Sequence, residues 1–316
     1  MRAAGVMSAD AAGAVLTPVL ADLTALCEFG GVFPDFARLP DVDLLVTGWG
    51  CPPITAEVLA RLPRLRAIVH TAGSVRGFVT DACWERGIAV SSAAQANALP
   101  VAEYTLAMIL LSGKRVLERA REYRASRRTA VYDVPASVGN HGATIGILSA
   151  SLIGRRVIEL LRPHDFHVLV HDPFVTEVDG AESVGITELF RRSDVVSVHT
   201  PLLPETRGLV SGELLASMRD DAVLINTARG AVVDQDALAA EVGRIRAVLD
   251  VTDPEVLPAD HPLWRSDAVL ITPHLAGSQG NEWVRLGRHA VEEVGRWVAG
   301  EPFATPVPAD RRERIA

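Results

Sequence analysis

Short runs of apolar residues alternate with amphipathic, helix-like segments along most of the chain. Near-continuous apolar runs are typical of strands buried on both faces of a parallel sheet, and amphipathic segments between them are typical of covering helices. The runs fall into two series, which predicts two α/β lobes, each a Rossmann-like doubly wound parallel sheet. The first series places strands at residues 13–18, 42–47, 67–70 and 88–91. The second series places strands at residues 144–148, 168–171, 195–199, 222–226, 247–251 and 269–272.

Helical patterns mark the borders of the two lobes. Apolar spacing over residues 101–124 predicts one long buried helix, and residues 281–298 form a further helical pattern near the end of the sequence. The residues after that second helix are too few for a lobe, so we expect them to return to the first lobe. The sequence therefore predicts a discontinuous domain at residues 1–98 and 289–316, interrupted by a second domain at residues 99–288.

Composition limits the classes of function. The chain has 31 Lys and Arg against 39 Asp and Glu, a net charge of −8, which argues against a nucleic-acid partner because such proteins need a basic surface. No apolar stretch approaches the roughly 18 residues of a membrane span, and the first residues lack the pattern of a secretory signal. We therefore expect no membrane partner. The cysteines at 27, 51 and 83 form no CxxC pair, so we expect no metal site and a reducing, cytoplasmic location.

A strand-turn-helix pattern at residues 144–157 has the context of a dinucleotide-binding GxGxxG fingerprint. Its three glycine positions read Ser149, Ser151 and Gly154, so only the glycine needed for helix–strand packing is kept. Asp172 ends the next predicted strand, where an acidic residue binds the ribose 2′-hydroxyl and repels a 2′-phosphate. Taken singly, the two features are also explained by a plain strand-turn-helix and an Asp-Pro turn. Together they predict nucleotide binding, with NAD favoured over NADP.

Three polar segments follow consecutive predicted strands of the second series, and they carry Arg229, Glu255 and His274. Ligands of an open parallel sheet bind beyond the carboxyl ends of its strands, so we expect these side chains to converge on one crevice. An arginine holds a carboxylate and polarises a carbonyl, while a histidine passes a proton near neutral pH. A carboxylate beside the imidazole fixes its tautomer and stabilises the charged ring. Each residue alone has an ordinary structural explanation, but their shared placement predicts chemistry on a 2-oxo acid.

The chain resembles the D-isomer-specific 2-hydroxyacid dehydrogenase family from about residue 42 to residue 277. The resemblance rests on short motifs that occur in the family's order and at the family's spacing. These motifs are TAGSV at 71–75, NALPVAE at 97–103, the SxSxxG turn, HDP at 171–173, HTPLLPET at 199–206, NTARGAVVD at 226–234, LDVTDPE at 249–255 and TPHLAG at 272–277.

The resemblance implies a role for each matching residue. Arg229 would orient the substrate, His274 would act as acid and base, and Glu255 would be the carboxylate partner of His274. It implies a substrate-binding domain at 1–98 and 289–316 and an NAD-binding domain at 99–288. The implied NAD-contacting positions are Ser151, Leu152, Ile153, Asp172, Thr200, Pro201, Thr206, Thr227, Ala228, Asp250 and Gly277. The implied substrate-binding positions are Ala72, Gly73, Ser74, Arg229 and His274.

The family resemblance further implies an NAD-dependent oxidoreductase that interconverts a 2-oxo acid and a D-2-hydroxy acid, as a homodimer built through the cofactor lobes. Val75 and Arg76 stand where the family usually has an acidic residue, so the substrate stays open. A formate-type enzyme would carry glutamine at Glu255, which counts against that alternative, whereas a phosphite-type oxidiser of the same fold stays open. A non-catalytic NAD(H)-sensing or corepressor-like protein also stays open, because Ser149 and Ser151 add side chains to the predicted cofactor turn.

Overall fold

The chain divides into two compact units. The structure is a computed structural model, and it describes residues 1–128, 134–135 and 137–309. Unit 1 comprises Met1–Ala98 and Ser278–Ala316, and unit 2 comprises Leu99–Gly277. The second domain boundary therefore lies after Gly277, and not after residue 288 as the sequence predicted. The reason is that Leu286 belongs to the apolar core of unit 1. Residues 310–316 of the predicted tail lie outside the described residues.

Unit 1 is built on a parallel sheet. Its strands are β1 (Arg2–Val6), β2 (Glu28–Phe33), β3 (Leu44–Thr47), β4 (Ala67–His70) and β5 (Ala89–Ser92). Within the described residues the order is β2-β1-β3-β4-β5, one of the two common orders of doubly wound folds. The buried strand β3 supplies Leu44 and Val46 to one apolar cluster and Leu45 to another, so both faces of the sheet are covered. The helices of unit 1 are the run Ala9–Leu26, Ala56–Arg61, Asp81–Glu85, the turn Gly280–Glu282 and Trp283–Val298.

One predicted strand of unit 1 is wrong, because residues 13–18 lie in the helical run Ala9–Leu26. The buried residues Val15, Val19 and Leu23 follow one another at intervals of four, which places them on one helical face. A short apolar run cannot separate a buried strand from a turn of buried helix by its periodicity. The sequence prediction also lacked strands β1 and β2, whose glycines and alanines weaken the apolar signal.

The run Ala9–Leu26 is long and apolar enough, by length and composition, to cross a membrane. This corrects the expectation that no stretch approaches that length. A core helix meets the same two criteria, and the buried face of this run lies in one apolar cluster with Leu286, Ala290 and Val294 of the helix Trp283–Val298.

Unit 2 is built on a second, larger parallel sheet. Its strands are β6 (Ala143–Leu148), β7 (Phe166–His171), β8 (Glu182–Ser183), β9 (Val195–Val198), β10 (Val223–Asn226), β11 (Arg246–Leu249) and β12 (Val269–Ile271). Among the described residues the order is β12-β11-β10-β9-β6-β7-β8. The order reverses between β6 and β9, and ligands of such sheets bind at this switch point, beyond the carboxyl ends of the strands. All six strands predicted for this series are present, and the short edge strand β8 is an addition.

Helices connect the strands of unit 2. The predicted single helix at 101–124 is two helices, Ala94–Gly113 and Val116–Ser126, because the chain turns at Arg115, whose φ of 50° is left-handed. The other helical segments are Leu152–Leu161, Ile186–Arg192, Pro204–Thr206, Gly212–Ser217, Gly230–Val232, Gln235–Glu241 and Pro262–Arg265. The predicted fold class, two parallel-sheet α/β lobes, is confirmed.

Candidate active site

The three residues predicted to carry the chemistry lie at one edge of the sheet of unit 2. Strands β10, β11 and β12 are neighbours in that sheet and run parallel. Arg229, Glu255 and His274 stand in the segments that follow these three strands. Sheet order and strand direction therefore bring the three segments to adjacent positions at this edge.

Glu255 and His274 are in direct contact. Nδ1 of the imidazole lies 2.7 Å from Oε1 of the carboxylate, and both side chains are about half exposed, 52% for the histidine and 57% for the glutamate. An ionised carboxylate only accepts hydrogen bonds, so Nδ1 carries the hydrogen and donates it to Glu255. Nε2 is then the ring nitrogen that can exchange a proton with another molecule.

Asp250 holds the loop that carries the histidine. The residue is 1% exposed, and its Oδ1 accepts hydrogen bonds from Oγ1 of Thr272 at 2.6 Å and from the N–H of Leu275 at 2.8 Å. Its Oδ2 accepts from the N–H of Ala276 at 2.9 Å. The N–H of His274 donates to the backbone oxygen of Asp250, and His274 itself has a left-handed φ of 52°. A non-glycine residue is strained there, so the bonds on either side of it keep the histidine in place.

Tyr104 extends this network, although no sequence motif pointed to it. Its hydroxyl lies 2.8 Å from Oγ1 of Thr272, which already donates to Asp250, so the tyrosine donates and the threonine accepts. Burial raises the pKa of Tyr104, the bond to Thr272 opposes that rise and the charge of Asp250 adds to it. The phenol is therefore a neutral donor near neutral pH. The sequence feature that could have pointed to Tyr104 is a tyrosine within a mostly apolar helix.

Asn226 shapes the turn that carries Arg229. Its Oδ1 accepts from the N–H of Ala228 at 3.0 Å, and its Nδ2 donates to the backbone oxygen of Arg229 at 2.9 Å. The next residue, Gly230, packs on the segment after β11, because a Cβ there would lie 2.0 Å from the carbonyl carbon of Thr252. This close approach packs the turn that carries Arg229 against the segment that leads to Glu255.

The SxSxxG turn joins β6 to the helix Leu152–Leu161. Ser151 is the N-cap of that helix, and its Oγ accepts from the N–H of Gly154 at 3.3 Å. A Cβ at Gly154 would lie 2.1 Å from the backbone oxygen of Ser149, so the glycine permits the close helix–strand packing that the sequence assigned to it. The amino end of this helix presents N–H groups suited to a pyrophosphate.

Asp172 lies beside this turn, at the end of β7. Its Oδ2 accepts from Oγ of Ser149 at 3.0 Å and from the N–H of Ala150 at 2.8 Å, and its Oδ1 accepts from the N–H of Phe174 at 2.9 Å. Ser149 has a left-handed φ of 83°, a conformation that favours glycine. The turn and the acidic residue, which together predicted nucleotide binding, are therefore in direct contact in the structure.

The other predicted cofactor positions lie at strand ends of the same sheet, and several of their side chains are engaged within the protein. Oγ1 of Thr227 lies 3.2 Å from Oγ1 of Thr105, and Oγ1 of Thr200 donates to the backbone oxygen of Leu148 at 3.4 Å. Oγ1 of Thr206 donates to the backbone oxygen of Pro201. These contacts fix the backbone around the switch point. These other predicted cofactor positions are Thr200 and Pro201 after β9, Thr206 in the turn that follows, Thr227 and Ala228 after β10, Asp250 after β11, and Gly277 at the end of unit 2.

The predicted substrate loop, Ala72, Gly73 and Ser74, follows β4 and belongs to unit 1. The backbone before it is tied to β3, since both the N–H and Oγ1 of Thr71 donate to the backbone oxygen of Thr47. Complete burial lowers the pKa of His70 to about 3, which keeps this histidine neutral beneath the loop.

A comparison with protein families decides the kinship of the chain. Residues 106–276 match the family model described as D-isomer specific 2-hydroxyacid dehydrogenase, NAD binding domain. The chain belongs to the D-isomer-specific 2-hydroxyacid dehydrogenase family. The predicted family is therefore confirmed, and the matched residues lie within unit 2.

Curated relatives of this family member are dehydrogenases. The D-3-phosphoglycerate dehydrogenase of Mycobacterium leprae is 32% identical over 283 residues, covering 87% of this chain and 52% of that protein. The (S)-sulfolactate dehydrogenase of Chromohalobacter salexigens is 36% identical over 256 residues, covering 77% of this chain and 81% of that protein. The chain spans about half the length of the phosphoglycerate dehydrogenases that it matches.

A solved structure similar to this chain supports the fold. The D-lactate dehydrogenase of Aquifex aeolicus, in complex with NAD and lactic acid, is 26% identical, with a TM-score of 0.72 over 95% of this chain and 96% of that chain. The two parallel sheets described above are thus the architecture of the 2-hydroxyacid dehydrogenases.

Proposed function

We propose that this family member catalyses the NAD-dependent interconversion of a 2-oxo acid and a D-2-hydroxy acid. The observation that carries the proposal is the contact of 2.7 Å between Nδ1 of His274 and Oε1 of Glu255, on segments adjacent to the turn of Arg229. Such a pair supplies an acid–base group with a fixed tautomer, and the guanidinium of Arg229 would supply a binding group for a carboxylate.

The proposed roles follow from the chemistry of each side chain. The bound cofactor would supply the redox chemistry, as NADH giving a hydride to C2 of the oxo acid and as NAD⁺ accepting one from C2 of the hydroxy acid. Nε2 of His274 donates a proton to the oxygen at C2 during reduction and takes it back during oxidation. Glu255 stabilises the charged ring before the transfer, while Arg229 binds the substrate carboxylate and polarises the oxo group.

The residues that would hold NAD lie around the turn after β6. The N–H groups of Leu152 and Ile153, at the start of their helix, would bind the pyrophosphate, and the carboxylate of Asp172 would bind the adenine ribose. The close packing at Gly154, where a Cβ would meet a backbone oxygen at 2.1 Å, fits such a cradle. The negative charge of Asp172 disfavours the 2′-phosphate of NADP, so we propose NAD as the preferred cofactor.

A substrate panel tests the reaction. Oxidation of NADH is followed by absorbance with glyoxylate, hydroxypyruvate, pyruvate and phenylpyruvate, and with 3-sulfopyruvate, 3-phosphonopyruvate and 3-phosphohydroxypyruvate. The last group is included because the named relatives act on sulfolactate and phosphoglycerate, acids with a second anionic group. We expect turnover of at least one compound, with NADH preferred over NADPH. Turnover of phosphite with NAD⁺ and of no oxo acid would support the phosphite-type alternative instead.

Replacement of the histidine tests its role. We expect His274→Gln to lower the rate about 10²- to 10⁴-fold, the usual contribution of a positioned acid or base, with NADH binding retained. His167→Gln, an exposed histidine on β7, is the matched control and should keep full activity. Unimpaired turnover by His274→Gln would refute the assignment. Calorimetric binding of NADH without turnover of any substrate would favour the NAD(H)-sensing alternative.

Assembly and location complete the proposal. We propose a homodimer, as the family resemblance implies, and a cytoplasmic location. Light scattering coupled to size exclusion measures the mass of the assembly, and fractionation of the source cells measures the location.

A further inference from the structure

The cofactor turn contains a side chain that glycine-based turns lack. Ser149 occupies the first glycine position, at a left-handed φ of 83°, and its Oγ lies 3.0 Å from Oδ2 of Asp172. The carboxylate only accepts hydrogen bonds when ionised, so Ser149 is the donor. The residue at the tight turn is thus bonded to the side chain that would bind the adenine ribose.

The carboxylate of Asp172 is already held without this serine. The backbone N–H of Ala150 donates to Oδ2 at 2.8 Å, and the backbone N–H of Phe174 donates to Oδ1 at 2.9 Å. One backbone donor on each oxygen fixes the orientation of the group. The bond from Ser149 therefore adds little to the positioning of Asp172.

The bond from Ser149 uses acceptor capacity that a ribose needs. An ionised carboxylate has about four lone-pair sites, and three donors from the chain already occupy this one. One site is left, on Oδ1, so a ribose 2′-hydroxyl that approaches Oδ2 must displace the serine. With glycine at position 149, two sites would remain open.

We propose that Ser149 weakens NAD binding by competing with the ribose 2′-hydroxyl for the carboxylate of Asp172. The proposal rests on the NAD dependence proposed above. Ser149 is thereby a determinant of cofactor affinity in this chain, and it acts through a hydrogen bond formed before the cofactor arrives.

Two variants separate the hydroxyl from the backbone. Ser149→Ala removes the competing donor but keeps a Cβ at the left-handed position, whereas Ser149→Gly removes both the donor and the strain. We expect both variants to bind NAD⁺ and NADH about 3- to 10-fold more tightly in calorimetric titration, the effect of one net hydrogen bond. We expect only Ser149→Gly to raise the melting temperature of the protein without cofactor.

The control for backbone relief is Asp221→Gly. Asp221 also has a left-handed φ, 65°, but it precedes β10 at the amino edge of the sheet. Its replacement should leave the dissociation constant of NADH unchanged. Tighter binding by Asp221→Gly as well would overturn the proposal, because the effect would then not come from the bond to Asp172.

A modified cofactor makes the test specific for the hydroxyl. With NAD⁺ that lacks the adenosine 2′-hydroxyl, the advantage of Ser149→Ala over the natural chain should vanish. An equal advantage with both cofactors overturns the proposal. The proposal is also overturned if both serine variants bind NADH no more tightly than the natural chain does.

The binding results also separate this inference from the proposed function. If the natural chain binds no NADH and Ser149→Ala binds it, the competition is supported. If neither binds it, both the proposed function and this inference fail, whereas binding by the natural chain with no gain in the variants overturns only this inference.

Discussion

The backbone N–H of His274 donates to the backbone oxygen of Asp250 at 3.0 Å, while the carboxylate of Asp250 binds the N–H groups of the two residues that follow the histidine. A buried aspartate thus holds the backbone of an exposed histidine in a left-handed conformation. The family resemblance assigns Asp250 to cofactor contact, but the structure shows its carboxylate bonded to three donors of the protein.

Asp250→Asn separates positioning of the histidine from cofactor contact. An amide keeps the size of the side chain but leaves a buried N–H donor unsatisfied, at a cost of about 1–3 kcal/mol in the free energy of unfolding. We expect kcat to fall by one to two orders of magnitude while the dissociation constant of NADH, measured by calorimetry, stays near that of the natural chain. A large rise in that dissociation constant with kcat preserved would show that Asp250 acts on the cofactor.

Tyr104→Phe tests the outer part of the same network. The variant loses only the hydroxyl that donates to Thr272, a bond with a net value of about 0.5–1.5 kcal/mol. Because the pKa of Tyr104 is raised above its ordinary value near 10, its contribution should be constant between pH 6 and 9. We expect a several-fold lower kcat at every pH in that range, with KM for the substrate unchanged. A loss that depends on pH there would contradict the neutral-donor role.

Glu255→Gln tests the carboxylate partner of the histidine. The amide oxygen still accepts the hydrogen bond from Nδ1, but it no longer stabilises a charged ring. We therefore expect reduction of the oxo acid to fall about tenfold near neutral pH and to recover as the pH is lowered, since solvent then protonates the ring. The measurement is kcat/KM for reduction between pH 5 and 8. A uniform loss across that range would argue for a purely structural role.

Gly154→Ala tests the packing at the cofactor turn. Its Cβ would lie 2.1 Å from the backbone oxygen of Ser149, so the helix Leu152–Leu161 must shift away from β6. We expect a fall in melting temperature and loss of NADH binding. Gly185→Ala is the matched control, because nothing lies within 4 Å of a Cβ there and the φ of −67° suits alanine. If Gly154→Ala and Gly185→Ala had the same melting temperature and the same affinity for NADH, close packing at Gly154 would not be the cause.

Two buried histidines make stability depend on pH. Burial lowers the pKa of His70 and of His199 to about 3, whereas an unfolded histidine titrates near 6.5. Below pH 6.5 the unfolded chain binds protons that the folded chain does not, so the free energy of unfolding falls as the pH falls. At pH 5 the loss is roughly 2 kcal/mol for each of the two residues. Urea unfolding at pH 7.5, 6 and 5 measures the effect. His70→Asn and His199→Asn should each lose less stability on acidification than the natural chain, and parallel losses would exclude these histidines as the cause.

The sequence alone predicted much of unit 2, because its strands are continuous apolar runs and its functional residues follow them directly. Arg229, Glu255 and His274 could be assigned to one sheet edge because parallel strands end on the same side. The prediction was weaker in unit 1, where the run at 13–18 is helical and the glycine-containing strand β2 carries little apolar signal. Local periodicity cannot settle such short segments.

Only the tertiary structure decided which side chains meet. The contact between Glu255 and His274, the burial of Asp250 and the bond from Ser149 to Asp172 depend on strand order and on the path of loops between strands. A sequence pattern records the burial and period of each segment, whereas a hydrogen bond needs two atoms from distant segments within about 3 Å. The sequence therefore determined the kinds of residue available at the strand ends, and the fold determined how those residues are paired.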